Sequence, residues 1–296
     1  MATSASQKII DEAVSNATGE IFITEKSSAV AGGCINSASL ITSGNRRFFL
    51  KTNSQHHLDM FVAEADGLLE LRKPGVIRLP EPVCYGETGS GIFLVLEYLL
   101  LSGGTRSAAE ALGAQLAKLH QQRADRFGWS RNNTIGATQQ INTQLDSWVE
   151  FYRERRLVFQ LSLAAENGFG GELQKLGASL CDNLDSFFDG YQPYPALLHG
   201  DLWSGNVAYT EDGLPVIFDP AIYYGDREAD IAMTELFGGF PASFYASYND
   251  VLPLDDGYAL RKNLYNLYHI LNHLNLFGSG YQSQAICLMK RLLSNI

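Results

Sequence analysis

Residues 199–206, with the sequence HGDLWSGN, constrain the fold of this chain more than any other segment. They lead into a ribbon of two apolar arms around the turn Asp212-Gly213. A hairpin of this kind brings Asn206 and Asp219 to the same end, with Asp201 one loop away. Because unpartnered polar groups beside apolar strands are costly, the pattern predicts that these three side chains form a functional cluster.

The cluster has the composition that phosphoryl transfer requires. One carboxylate orients the attacking hydroxyl and receives its proton, while an amide and a second carboxylate hold Mg²⁺ on the nucleotide phosphates. An H-x-D-x4-N element followed by an isolated Asp after an apolar strand is typical of protein-kinase-like enzymes. Here His-Gly-Asp replaces His-Arg-Asp and Asp-Pro replaces Asp-Phe-Gly, which favours small-molecule kinases over protein kinases.

The alternative interpretation is a plain hairpin whose Asn and Asp residues only serve turns. It accounts for Asp212-Gly213. It accounts poorly for Asp201, Asn206 and Asp219, which all lie beside apolar strands.

Composition and charge exclude several classes of function. The chain has 296 residues, 46% of them hydrophobic, which suits one large domain or two modest ones. Its formal net charge of −10 would repel nucleic acid and anionic membranes, so we expect neither as a partner. No apolar run reaches transmembrane length and no signal peptide is recognisable. The four cysteines are widely separated, which disfavours zinc and disulfides and predicts a cytoplasmic protein with reduced thiols.

Hydrophobic periodicity predicts an α+β, two-lobe, protein-kinase-like fold. Short strands, among them residues 21–23, and one main helix at about 57–72 predict an antiparallel sheet lobe over residues 1–99. The larger lobe, residues 100–296, is predicted to be mainly helical. Long amphipathic helices are expected there at about residues 107–122, 140–167 and 171–189.

The N-terminal lobe offers a lysine and a glutamate that could form a pair. Glu64 falls on the apolar stripe of its predicted helix, together with Phe61 and Leu68. A carboxylate that faces the sheet needs a cation. Lys51 is the nearest candidate in the order that kinases use, a strand lysine before a helix glutamate. If Lys51 is instead an exposed strand-end lysine, no such pair forms.

Two backbone segments could face a nucleotide. Gly32 and Gly33 separate two predicted strands, where they permit either a simple turn or close approach to phosphate oxygens. The backbone from Glu97 to Leu99, where the lobes join, would meet the edge of an adenine. Cys34 follows the glycines, and it is either a redox-sensitive thiolate stabilised by backbone N–H groups or an inert small residue.

Several segments match one known family. They are AGGCI (31–35), FGW (127–129), WVEFY (148–152), LHGDLWSGN (198–206), FDPAIYYGDREADIAM (218–233), ELFGG (235–239) and LNHLNLFG (271–278). On these motifs the chain resembles the fructosamine kinase (ketosamine-3-kinase) family, within the aminoglycoside-phosphotransferase and choline-kinase-like group. The run from Asp219 to Asp230 is specific to this family, and aminoglycoside kinases differ there.

The resemblance implies an ATP-dependent kinase that phosphorylates O3 of the sugar in ketosamines, including fructosamines, ribulosamines and glycated lysines. It implies that Asp201 is the catalytic base and that Asn206 and Asp219 are Mg²⁺ ligands. It also implies that Lys51 contacts the phosphates and pairs with Glu64.

Four further residues receive roles from the resemblance. Gly32 and Gly33 would cover the phosphates, and Asp230 would accept backbone N–H groups that hold the catalytic loop. Trp203 would either stack on the substrate or anchor the packing.

Two alternatives remain open at this point. One is a different small-molecule kinase, of the aminoglycoside or choline type, and the other is a catalytically dead nucleotide-binding pseudokinase. The preferred sugar, the carrier amine, the choice between free glycated amines and glycated protein, and the oligomeric state are not determined by the sequence.

Overall fold

The N-terminal lobe is built on a five-stranded antiparallel sheet with the strand order β1-β2-β3-β5-β4. Two helices flank it, α1 (Ser4–Thr18) and α2 (Leu58–Arg72). The strands are β1 (Lys26–Ala29), β2 (Ser37–Ser43), β3 (Arg46–Asn53), β4 (Pro82–Thr88) and β5 (Gly91–Glu97).

The structure, a computed structural model, describes residues 4–30, 36–54 and 58–296. Three residues singled out in the sequence lie outside these ranges: Gly32, Gly33 and Cys34.

The two faces of the sheet bury different cores. Phe93 and Val95 of β5 pack with Ile10 of α1 in a small separate core. The alternate residues Leu94 and Leu96 face α2 and join the main hydrophobic core, which continues into the C-terminal lobe. Because side chains alternate along a strand, one strand serves both cores. Helix α2 therefore packs into the same core as the C-terminal helices.

The C-terminal lobe is mainly helical, so the architecture is α+β as the sequence predicts. Its α-helices are α3 (Arg106–His120), α4 (Trp148–Tyr152), α5 (Phe159–Glu166), α6 (Glu172–Asp182), α7 (Glu228–Leu236), α8 (Ala242–Val251), α9 (Tyr258–Phe277) and α10 (Gln282–Leu293). Within the described residues, no helix combines the length and the apolar character that crossing a bilayer requires.

Short strands in this lobe carry the predicted ribbon. They are β6 (Leu101–Ser102), β7 (Asn133–Ile135), β8 (Thr138–Gln140), β9 (Ala196–Leu198), β10 (Val207–Thr210), β11 (Pro215–Ile217) and β12 (Tyr223–Gly225). Strands β10 and β11 pair antiparallel, with Val207 opposite Ile217, as the sequence predicts. The short strand β6 pairs with β10, so the connection between the lobes lies against the ribbon.

The predicted strand at residues 21–23 is wrong. The backbone N–H of Phe22 donates to Ser15 Oγ at 2.8 Å, and Ser15 Oγ donates to the Phe22 carbonyl at 3.3 Å. A side chain that satisfies the backbone locally competes with strand pairing. Phe22 is buried while Ile21 is 84% exposed, so the apolar run anchors a loop.

The predicted continuous helix at 140–167 is also wrong. Residue 140 ends the β7–β8 hairpin, and the helix begins only at Trp148, where Ser147 Oγ accepts from the Glu150 N–H at 3.3 Å. A π-helical segment, Arg153–Val158, then separates α4 from α5. The hydrophobic periodicity of the segment does not reveal these interruptions, although Ser147 followed three residues later by Glu150 is a sequence signal for the start of a helix.

Candidate active site

A buried aspartate holds the start of residues 199–206, the segment that the family resemblance predicts to be the catalytic loop. Asp230 of α7 accepts from the backbone N–H of His199 at 2.7 Å and of Gly200 at 2.8 Å. Gly200 has φ 82°, and a Cβ there would lie 2.0 Å from the Ala221 carbonyl oxygen. Only glycine fits this position, so the loop conformation depends on both Asp230 and Gly200.

Asp230 is held as an anion by its surroundings. Burial alone would raise its pKa, but the hydrogen bond and charge of His120 and the N–H of Gly200 lower it. His120 Nε2 lies 3.2 Å from Asp230 Oδ2, and His120 Nδ1 lies 2.8 Å from the Tyr248 hydroxyl. His120 is thus a buried supporting residue at the end of α3.

The ring of His199, to which the sequence assigned no role, joins the two halves of the site. Its Nε2 lies 3.0 Å from the carbonyl oxygen of Phe218, and the Asp201 N–H donates to its Nδ1 at 3.3 Å. Burial lowers the pKa of His199. These partners fit a neutral imidazole protonated at Nε2, which ties the catalytic loop to the residue before Asp219. The position of His199 at the head of its motif was the only sequence signal.

Asp201 is partly exposed and lies beside Asn206 and Asp219. Burial, reinforced by the negative charge of Asp219, raises the pKa of Asp201 to about 7, while a hydrogen bond from Asn206 opposes the rise. Asn206 Nδ2 donates to the Asp201 carbonyl oxygen at 2.8 Å and lies 3.4 Å from Asp201 Oδ2. A carboxylate with this pKa can take up a proton near neutral pH.

Asn206 and Asp219 come together through the ribbon. The Phe218 N–H donates to the Asn206 carbonyl oxygen at 3.1 Å, which places Asp219 at the same end as Asn206. Asp219 has φ 57°, an uncommon value for a residue other than glycine. Such conformations cluster at functional sites.

The N-terminal lobe reaches this cluster through Lys51. Its Nζ donates to Glu64 Oε1 of α2 and to Asp219 Oδ1, each at 2.5 Å. Burial would lower the pKa of Lys51, but the charges of Asp219 and Glu64 outweigh it and raise the pKa. The sequence led us to expect Glu64 as a partner, whereas Asp219 as the second partner was not foreseen.

The residues present fit a magnesium ion that is held jointly with phosphates. Asp219 remains 45% exposed, and none of the described residues donates to Asn206 Oδ1. No group of three or more His, Cys, Asp or Glu side chains suited to a metal occurs among the described residues. Mg²⁺ binds through one or two carboxylates together with substrate phosphates, so this donor set suits that ion.

The backbone N–H groups of Glu97 and Leu99, in the segment that joins the lobes, differ in their hydrogen bonding. The Glu97 N–H donates to the Glu81 carbonyl oxygen at 2.8 Å, and its side chain pairs with Arg78. Leu99 follows β5, and no described residue accepts a hydrogen bond from its N–H. The Leu99 N–H is therefore the freer of the two amides.

A row of aromatic rings extends from the catalytic loop. The side chain of Trp203 is 38% exposed. The centroid of its ring lies 6.3 Å from that of Phe237, and the centroid of Phe237 lies 4.9 Å from that of His273. His273 in turn contacts Phe277 and Tyr281, with centroids 5.4 and 5.1 Å away. His273 is thus a half-buried member of this row of rings.

Comparison with known proteins identifies the family. A family model described as fructosamine kinase matches residues 6–295. The chain belongs to the fructosamine kinase family. A protein of Synechocystis sp. with the provisional name ketoamine kinase is 46% identical over 285 residues, 96% of each chain. The chloroplastic protein-ribulosamine 3-kinase of Arabidopsis thaliana is 43% identical over 267 residues, 89% of this chain and 81% of that protein.

Solved structures agree with this assignment. A Haemophilus somnus protein with the provisional name fructosamine-3-kinase has a TM-score of 0.90 and 31% identity, with 98% of each chain covered. An aminoglycoside phosphotransferase in a ternary complex with AMP-PNP and hygromycin B has a TM-score of 0.64 at 15% identity, covering 96% of this chain and 97% of that one. The second similarity shows the fold alone. The predicted family and kinase-like fold are therefore confirmed, and the chain is a kinase of this family.

Proposed function

We propose that this kinase transfers the γ-phosphoryl group of ATP to O3 of the sugar in a ketosamine. The observation that carries the proposal is the double contact of Lys51 with Glu64 and Asp219, next to Asp201. It supports the proposal because Lys51, Asp219 and Asp201 are the side chains to which we assign the phosphates, the metal ion and the acceptor proton. The name of the Arabidopsis relative, a protein-ribulosamine 3-kinase, supports the acceptor and the position.

Asp201 is the base in this proposal. The acceptor hydroxyl donates a hydrogen bond to the Asp201 carboxylate and loses its proton to it as the bond from O3 to the γ-phosphorus forms. The bond between the γ-phosphorus and the β,γ-bridging oxygen breaks, and ADP is the leaving group. Because burial and Asp219 raise the pKa of Asp201 to about 7, the carboxylate is a better proton acceptor than an ordinary aspartate. Asn206 holds the loop carbonyl and orients the carboxylate from the side.

Lys51, Asn206 and Asp219 form the phosphate side. Asn206 Oδ1 and the exposed carboxylate of Asp219 would hold Mg²⁺, which neutralises phosphate charge when bound. Lys51 keeps its contact with Glu64 while its ammonium faces the phosphates. We assign the adenine edge to the backbone from Glu97 to Leu99, of which the Leu99 N–H is the available donor.

The aromatic row beside the catalytic loop forms the acceptor side. Trp203 is half-exposed next to Asp201, and its indole lies against Gly205, where a Cβ would come within 2.3 Å of the ring. Aromatic faces bind the apolar faces of sugars and also attract cations such as a protonated secondary amine. A ketosamine carries both groups.

A coupled assay of ADP release tests the proposal against its alternatives. The panel contains a ribulosamine, a fructosamine, an aminoglycoside and choline, each with wild type and with Asp201→Asn. We expect turnover only with the ketosamines, loss of turnover in Asp201→Asn, and a phosphate ester at O3 by NMR. Turnover of choline or the aminoglycoside alone would favour another small-molecule kinase, and Mg·ATP binding without any turnover would favour a pseudokinase.

A further inference from the structure

Helix α2, which carries Glu64, presents a row of acidic side chains to the C-terminal lobe. Asp59, Asp66 and Glu70 lie on one face of the helix because their spacings of seven and four residues are close to whole turns. The guanidinium of Arg131, in the loop before β7, pairs with both Asp59 and Asp66. The Tyr224 hydroxyl of β12 donates to Glu70 Oε1 at 2.8 Å.

Close packing accompanies these polar contacts. A Cβ at Gly67 would lie 3.5 Å from the Ile222 side chain and 3.8 Å from Pro220. These are ordinary van der Waals distances, so α2 rests at Gly67 on the segment that directly follows Asp219, and an added methyl group would pack there without a clash. Helix α2 is therefore connected to Asp219 in two ways. Glu64 of α2 pairs with Lys51, which also pairs with Asp219, and Gly67 of α2 packs against Ile222, three residues after Asp219.

The groups that hold α2 are themselves fixed in the C-terminal lobe. Gly128 and Tyr224 exchange two backbone hydrogen bonds of 2.8 Å, which joins the loop of Arg131 to β12. Asn142 Nδ2 donates to the Arg131 carbonyl oxygen at 3.2 Å. Arg131 and Tyr224 therefore act on α2 from one rigid support.

The ion pairs are too exposed to contribute much to global stability. The Arg131 side chain is 25% exposed and Asp59 is 83% exposed, and pairs of this kind are worth about 0–1 kcal/mol. One guanidinium between carboxylates two turns apart does, however, restrict the rotation of the helix about its axis. Rotation of α2 would carry Glu64 away from Lys51.

We propose that Arg131 and Tyr224 are positioning residues that hold α2, and with it the Lys51–Glu64 pair, in the arrangement needed for phosphoryl transfer. The kinetic part of this inference rests on the proposed function. The contacts of Arg131 and Tyr224 with α2 all come from the same chain.

The main test compares Arg131→Met with Arg126→Met. Arg126 is a matched control because it pairs with Asp146 inside the C-terminal lobe, with Nε 2.6 Å from Oδ1, and has no hydrogen bond or ion pair with α2. We expect Arg131→Met to lower kcat about tenfold, since small misplacements of catalytic groups cost this much or more, with little change in the KM of the acceptor. Arg126→Met should match wild type, and Arg131→Lys should recover part of the loss.

A second measurement is independent of the reaction. Hydrogen exchange of the backbone amides of residues 58–72 should be faster in Arg131→Met and in Tyr224→Phe than in wild type, while exchange in α3 stays unchanged. High salt should move wild type toward Arg131→Met in both measurements and leave that variant unaffected.

Unchanged exchange in α2 together with wild-type kcat in Arg131→Met would overturn the inference, as would an equal loss in Arg126→Met. If no ketosamine is turned over by wild type, the proposed function fails, and the exchange experiment still decides whether Arg131 and Tyr224 hold α2.

Discussion

Replacing Lys51 by methionine isolates the charge that links the two lobes. The Lys51 ammonium donates to Glu64 and Asp219 at 2.5 Å each, and the side chain is buried. Methionine fills a similar volume, so the variant removes a cation without leaving a large cavity. Any loss of stability then measures the cost of leaving the carboxylates of Glu64 and Asp219 without the Lys51 ammonium.

The expected loss follows from the environment of each carboxylate. Removing one partner of a buried ion pair costs about 3–5 kcal/mol. Asp219 is 45% exposed and can be solvated, and Glu64 can take up a proton, so we expect about 2–4 kcal/mol at pH 8. Burial raises the pKa of Glu64 and the charge of Lys51 opposes this rise, so the pKa of Glu64 rises further in Lys51→Met.

The sign of the pH dependence follows from this direction. Because the pKa of Glu64 is higher in the folded than in the unfolded state, the folded variant binds more protons above the unfolded pKa of about 4.3. Its stability therefore falls as the pH rises, by at most about 1.4 kcal/mol per pH unit. The difference between wild type and Lys51→Met should be larger at pH 8 than at pH 5.5.

Urea unfolding followed by tryptophan fluorescence at both pH values measures this difference. The double variant Lys51→Met/Glu64→Gln is the control, since it removes the buried charge and should regain stability but no turnover. A loss of stability that is the same at both pH values, or a Lys51→Met variant with wild-type kcat, would refute the reasoning.

Other expected outcomes concern the catalytic loop and the metal side. Asp201→Asn should reduce kcat by several orders of magnitude while calorimetry shows nearly unchanged Mg·ATP affinity, because the base acts on the acceptor. In free wild type, kcat/KM for the acceptor should rise with pH and level off above about 7, since the deprotonated carboxylate is the active form. Asp219→Ala should abolish Mg²⁺-dependent ATP binding, and an unchanged Kd in the same titration would contradict the assignment. Gly200→Ala should destabilise the fold by about 3 kcal/mol, because the new Cβ would lie 2.0 Å from the Ala221 carbonyl oxygen. Gly213→Ala is the control: Gly213 has φ 81° but no atom within 4 Å of the added Cβ, so this variant should lose about 1 kcal/mol in the same urea assay.

Local patterns in the sequence determined the elements that carry the site. The alternation of apolar residues around Asp212-Gly213 predicted the ribbon, and β10 and β11 pair as expected. The stripe that contains Glu64 predicted a carboxylate facing the sheet, and it pairs there with Lys51. Such predictions succeed because a strand or a helix sets the direction of each side chain from its neighbours in sequence.

Tertiary packing decided which residues become partners. Lys51 and Asp219 are 168 positions apart and meet only when α2 and the ribbon share one core. Arg156 is a stronger case, because it is fully buried and pairs with no carboxylate of the described residues. Its guanidinium lies 4.1 Å from the centroid of the Tyr223 ring and donates to Asn142 Oδ1 at 2.8 Å. A charged residue in a helical pattern normally indicates an exposed face.

The wrong prediction at residues 21–23 has a more local origin. These residues have the composition of a strand, yet Ser15, seven positions earlier, takes the hydrogen bonds of Phe22 that a neighbouring strand would need. Hydrophobic periodicity reports which face of a segment is buried, but it does not report which polar side chain competes for the backbone. Partners that lie far apart in sequence, such as Lys51 with Asp219 and Arg131 with α2, are by contrast brought together only by the folded chain.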